Sequence, residues 1–242
     1  VLTKIQERLK PGLHDESLAP LFRELCIAYS EFGAMAGVEI LPYRENSNDR
    51  FLTLPREHQQ GILTSLRASI DICTSAVQNN IDIRYDSLSL MWWSIKKAGL
   101  RPHSDLFGRL EQNDILEIYD IHQRQLFRSF NMFNCISYSL EELFSYEWWE
   151  LFHRDSQVNE RLMTVTTRLL TGEAPIIYVD MPPHFIEEKF SRRRTLHRIQ
   201  TRLGSPLHVQ GAQSIGGFVC ASRVVQYVDN GRQQGLKKTE TV

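Results

Sequence analysis

Cysteine is scarce in this chain. Four thiols in 242 residues, Cys26, Cys73, Cys135 and Cys220, lie far apart and form no C-x-x-C pair. Such a set builds neither a disulfide framework nor a zinc knuckle, and it reads as buried or free thiols of a reducing, cytoplasmic compartment. Long apolar runs are missing too: no window approaches the ~18–20 residues of a membrane-spanning helix. The N-terminus shows no basic stretch followed by an apolar one, so no secretory leader is expected. The catalytic signatures are equally absent. There is no G-x-S-x-G, no G-x-x-x-x-G-K-[ST], no G-x-G-x-x-G and no H-E-x-x-H. The eight histidines show no i, i+4 pair flanking a carboxylate, so no metal site and no catalytic residues are assigned, and a non-enzymatic role is expected.

What remains is an ordinary globular composition, 42% hydrophobic and 24% charged, long enough for one large domain or two small ones. The net charge of −1 hides an asymmetry: residues 181–242 carry ten Lys/Arg against four Asp/Glu, and the rest of the chain is acidic. A basic C-terminal third is a solvated face, a surface docked on the acidic part, or a nucleic-acid surface.

The first hundred residues read as helical. Leu18, Leu21, Phe22, Leu25, Ala28, Tyr29 and Phe32 make one stripe over 17–32, with Ser17 as cap and Gly33 as stop. Val38–Leu41 has the composition of a short strand. In a long helix over 57–79, Leu63, Leu66, Ile70, Cys73 and Val77 recur at steps of 3, 4, 3 and 4. That is a two-heptad seam, short of the about three to four heptads of a coiled coil, and it serves either a core helix or a homodimer interface. Over 86–98, Asp86 or Ser87 caps a helix whose face is Leu88, Met91, Trp92 and Ile95. Adjacent Trp92 and Trp93 lie ~100° apart, so one ring turns outward or into a neighbour.

From residue 111 onward the pattern changes. Ile115–Ile121 is dense in β-branched and aromatic residues, His122–Arg124 makes a polar break, and Gln125–Phe130 returns as a partner strand. Ser139 and Glu142 form a capping box. Val158, Leu162, Val165 and Leu169 predict a helix over 156–171 closed by Gly172, with Asp155 as its cap. Ala174–Asp180 reads as a strand, and residues 185–203 fit a helix or a strand.

This order of strand, turn, strand, short helices, longer helix and further strands resembles a PAS-type sensor domain. The segment SYSLEELFSYEWWELFHRD carries most of the likeness. The resemblance covers the C-terminal half only. It implies an α+β fold in which a helical region (1–110, dimerising) precedes an antiparallel sheet with short helices on one face (111–228) and a flexible tail (229–242). It also implies a long strand through 185–203, a turn at Gly204–Pro206, and a last strand from His208 to Tyr227 with a bulge or kink at Gly216 and Gly217. The long helix would close an apolar ligand pocket lined by Phe133, Trp148, Trp149, Phe152, Leu162, Val165 and Leu169, or these side chains would fill one another's space.

The cofactors known in that family fit poorly. Asn134 and Cys135 are followed by Ile136 and Ser137 rather than by the flavin motif, and they precede the capping box. The long helix holds no histidine to ligate haem. Flavin and histidine-ligated haem are therefore disfavoured, and the cofactor stays unknown. A sensor or regulatory module is expected, working as a homodimer with a small molecule or protein partner and without a membrane. Arg192, Arg193, Arg194, Arg198 and Arg202 offer the alternative, a transcription regulator that grips phosphates, although aromatic interleaving for base stacking is thin.

Overall fold

Two strands of fourteen residues each, β7 (Leu196–Val209) and β8 (Ile215–Val228), form the spine of the protein. The structure, a computed structural model, describes residues 17–228; residues 1–16 and the tail expected at 229–242 lie outside the described residues. Around the long hairpin the other strands are β1 (Leu100–Arg101), β2 (Ile115–Asp120), β3 (Gln125–Arg128), β4 (Phe152–His153), β5 (Ile177–Tyr178) and β6 (His184–Glu188). Their order is β3-β2-β8-β7-β6-β4, all pairs antiparallel, with β1 and β5 added along β7. The helices are α1 (Ala19–Met35), α2 (Asp49–Thr53), α3 (Arg56–Gln78), α4 (Ser87–Lys97), α5 (Leu140–Ser145) and α6 (Ser156–Leu170). Among the described residues no helix is long and apolar enough to cross a membrane.

The centre of the sheet, around β2 and the first half of β8, is covered on both faces, and the two-residue period of its strands sorts the side chains. On β2, Leu116 and Ile118 turn to the large core that the helices α1, α3 and α4 share with the sheet. Ile115, Glu117 and Tyr119 turn the other way, toward α6. β8 repeats the division, with Val219 and Ala221 in the large core and Phe218, Cys220 and Ser222 facing α6. The helical region and the sheet thus share one continuous core across residue 110, and β1, from before that point, pairs with β7.

Several local expectations change in three dimensions. α1 does not stop at Gly33 but runs to Met35. A Cβ on Gly33 would lie 2.4 Å from Ile40 Cγ1, so this glycine admits the incoming strap instead, and the reversal is made by Gly37 at φ 73°. Its N-cap residue is Leu18; Ser17 Oγ accepts from the Ala19 amide at 3.3 Å. Val38–Leu41 joins no ladder; its extended backbone receives the Leu140 amide at Leu41 and the Glu141 amide at Pro42.

On α4 the inward face is Leu90, Met91, Ser94 and Ile95. Trp92 is 45% exposed, whereas Trp93 donates its indole N–H to Ser75 at 2.8 Å. Residues 174–180 contribute only the two-residue β5. Residues 184–188 and 196–203 are strand, but Gly204–Pro206 is no turn. It lies inside β7, where a Cβ on Gly204 would lie 2.6 Å from Leu169 Cδ1 of α6. The reversal falls instead at 210–214, with Gly211 at φ 80°. Of the bulge or kink expected at Gly216 and Gly217, the strand makes the bulge: Leu207 pairs with Gly217 and His208 with Ile215, leaving Gly216 as the extra residue.

Candidate functional site

α6 lies across β7 and β8. It starts at Asp155, whose carboxylate accepts from the Gln157 amide at 2.8 Å, and it ends before Gly172 at φ 68°. Leu169 anchors its C-terminal end against Gly204, in a small core with Tyr119, Ile177 and Phe218. Under its middle, where Leu162, Val165 and Thr166 face the sheet, a cavity of about 80 Å³ remains. Four of the seven predicted pocket residues line it: Trp148, Phe152, Leu162 and Val165. Leu169 is packed in the neighbouring core, and Phe133 belongs to the large core, edge-on to Tyr29. Trp149 lines a second, larger cleft of about 650 Å³ between α3, the β2–β3 turn and residues 143–151. Tyr119, Arg128, Trp148 and Leu151 line both spaces.

The small cavity is lined mainly by apolar side chains, as composition suggested, but charged groups stand among them. Glu117, Arg128, Arg154 and His184 line it too. The β2–β3 hairpin brings the first two together. Its turn is held by Asp120, whose carboxylate accepts the His122 and Arg124 amides at 2.8 and 2.9 Å. In β3 Leu126 is an extra residue, its carbonyl taken up by Ser69 of α3, and this shift sets Arg128 directly opposite Glu117. Glu117 Oε1 then accepts from Arg128 Nη2 at 2.7 Å, the Tyr119 hydroxyl at 2.9 Å and Gln125 Nε2 at 3.1 Å.

Arg128 is only 4% exposed, and its Nε and Nη1 have no hydrogen-bond partner among the described residues. Arg154 stacks on Phe152, guanidinium carbon to ring centroid 5.1 Å, with Nη1 unpartnered. The Trp148 indole nitrogen and His184 Nδ1 are likewise buried without a partner among the described residues. Burial, and then the Arg154 charge, lowers the pKa of His184; burial raises those of Tyr119 and Cys220 well above their usual ranges. The site therefore combines neutral imidazole, phenol and thiol with two guanidinium groups and one carboxylate.

The remaining predicted residues fall elsewhere. Leu63, Leu66, Ile70 and Cys73 are at most 3% exposed, inside the chain's own core against α1 and β3, and Val77 packs at its margin. Of the basic series, Arg192, Arg193 and Arg194 are exposed in the β6–β7 loop. Arg198 stands on β7 over Phe185. Arg202, the extra residue in a bulge, is turned to Asp114 and to Glu111, the latter at 2.6 Å. The five arginines do not form one free surface.

A second constellation, the α5 clamp, joins the helical region to the segment lining both spaces. The capping box is present: Ser139 Oγ accepts from the Glu142 amide at 3.3 Å, and Glu142 Oε2 accepts from the Ser139 amide at 2.9 Å. Glu142 also pairs with Arg44, and fully buried Glu141 receives both Arg23, from α1, and Ser47. No protein-family model, curated protein or solved structure matches this chain.

Proposed function

We propose that this chain is a signal-sensing module of PAS type, binding a small molecule between α6 and the sheet and relaying occupancy to its helical region. The observation that carries this reading is the cavity under α6, roofed by the helix, floored by β2 and β8, and lined by polar groups without partners. Supporting it are the antiparallel sheet that places β2 beside β8, and the short helices between β3 and α6. A ligand shifts such a device only through a difference in affinity between two arrangements. Residues 146–151 are the proposed relay: they line the cleft, Trp148 and Leu151 among them also line the cavity, and α5, just before them, is clamped to α1 by Glu141 and Arg23.

The working form proposed is a cytoplasmic homodimer, in keeping with four free thiols. Its interface would lie outside the Leu63–Cys73 stripe, which the monomer core already uses.

Native mass spectrometry of the purified protein, against its denatured mass, tests this. A dimer carrying extra mass that is lost on denaturation is the expected result. A bare chain, whose α6 amide exchange does not respond to a metabolite extract, would overturn the proposal.

A further inference from the structure

We infer that the cavity under α6 is a site for a small carboxylate with a short apolar tail, its head held by Arg128 and Arg154. The inference rests on the sensor reading of the same cavity and adds the chemical class of the ligand. Charge is the first argument. Among the described residues Glu117 is the only acidic side chain lining the cavity, against the two guanidinium groups of Arg128 and Arg154. One positive charge is left over beside Arg128, which is only 4% exposed, and a buried charge without a counter-charge is expensive.

Hydrogen bonding is the second argument. Arg128 spends Nη2 on Glu117 while its Nε and Nη1 stay unused, and Arg154 Nη1, Trp148 Nε1 and His184 Nδ1 are unpartnered beside them. Unpartnered guanidinium N–H groups are donors that the oxygens of an oxyanion can accept from. Among the lining groups, Leu162, Val165, Ile186, Ile199 and Phe218 offer apolar surface for a tail.

Size is the third. At about 10–15 Å³ of such volume per water, a cavity of about 80 Å³ holds roughly half a dozen waters. A ligand with a similar number of heavy atoms, a three- to five-carbon monocarboxylate, fits that space. A nucleotide or a flavin does not. Tyr119, Arg128, Trp148 and Leu151 form the wall shared with the larger cleft.

The test is calorimetric titration and thermal shift of the full chain with propionate, butyrate and valerate, with butyramide as the uncharged counterpart and inorganic phosphate as the tailless oxyanion. The carboxylates are expected to bind and to raise the melting temperature, butyramide to do neither, and phosphate to bind more weakly than butyrate. Arg154→Gln, which removes no ion pair from the fold, is expected to weaken butyrate about tenfold or more, the loss of one charge-assisted contact. Arg128→Lys serves as the second variant: it keeps a cation for Glu117 but loses the planar fork, with the same direction expected.

Equal binding of butyrate and butyramide, or unchanged butyrate affinity in Arg154→Gln, would overturn the inference. If native mass spectrometry then shows a bound neutral molecule, the sensor reading stands and the anion alone is wrong. If it shows a bare chain, both fall. Phosphate binding as tightly as butyrate in the wild-type protein would refute the tail, and with it the carboxylate assignment.

Discussion

Removing the Arg23 side chain should loosen the joint between the helical region and the sheet by an amount that can be worked from its geometry. Arg23 meets Glu141 with both ends of its fork, Nε to Oε1 at 2.9 Å and Nη2 to Oε2 at 3.2 Å. The Glu141 side chain is 0% exposed and that of Arg23 37%. Breaking a buried pair by deleting one partner costs ~3–5 kcal/mol, because the surviving charge stays buried. Here the deleted partner is partly wet, and Ser47 still donates to the carboxylate, so Arg23→Met should cost about 2–3 kcal/mol. For a chain of this size that is a fall of roughly 5–10 °C in Tm. Urea unfolding followed by circular dichroism and tryptophan fluorescence reads it. Converting both partners, Arg23→Met with Glu141→Leu, should recover a large part of the loss, giving a coupling of about 1–2 kcal/mol. A loss below about 0.5 kcal/mol for Arg23→Met, or a double variant as unstable as the sum of the singles, would refute the clamp.

Gly217→Ala should destabilise by about 2 kcal/mol or more and disturb the β2–β8 register, because the new Cβ would lie 2.2 Å from the Tyr119 carbonyl oxygen; amide exchange of β2 reads the disturbance. Asp86→Ala should cost about 1 kcal/mol, the worth of an N-cap whose carboxylate accepts from the Ser89 amide at 2.9 Å, measured by urea unfolding. Stability should fall as the pH drops through about 6.5. Burial, and then Arg154, lowers the folded-state pKa of His184, so the unfolded chain takes up that proton first and the stabilisation present above the unfolded pKa is lost below it. His184→Gln should flatten that part of the Tm–pH curve between pH 5 and 7. His197, whose pKa burial also lowers, should account for a share of what remains.

What could be read in advance was what depends on neighbours in sequence. The capping box at Ser139 and Glu142 involves two side chains and two amides within four residues, and it formed as spaced. The stripe on α3 is likewise a property of one helix, although whether it met a second copy or α1 lay beyond its periodicity. Glycine was misread for a definable reason. The missing Cβ that permits a turn also permits close approach, and at Gly33 and Gly204 the chain uses it for Ile40 and Leu169.

The site was half legible on the same grounds. α6 announced its inward residues through a 3.6-residue period, and those residues are apolar. The opposite wall is made of strands, where every second side chain faces the cavity and the register decides which. Glu117 and Tyr119 on β2 belong to that wall, yet their sequence shows only an acid and an aromatic among apolar neighbours. Arg128 is placed opposite Glu117 by a single extra residue, Leu126, in a four-residue strand. A hairpin without that bulge would slip the pairing by one position and send the guanidinium to the other face. Arg202 followed the same logic: a bulge in β7 turned it to Asp114, 88 residues earlier, and removed it from a basic series that looked continuous in one dimension. The pairing of Glu117 with Arg128 inside a largely apolar cavity is therefore a consequence of register, which explains why a composition-based reading found the apolar residues of that space and missed the charged ones.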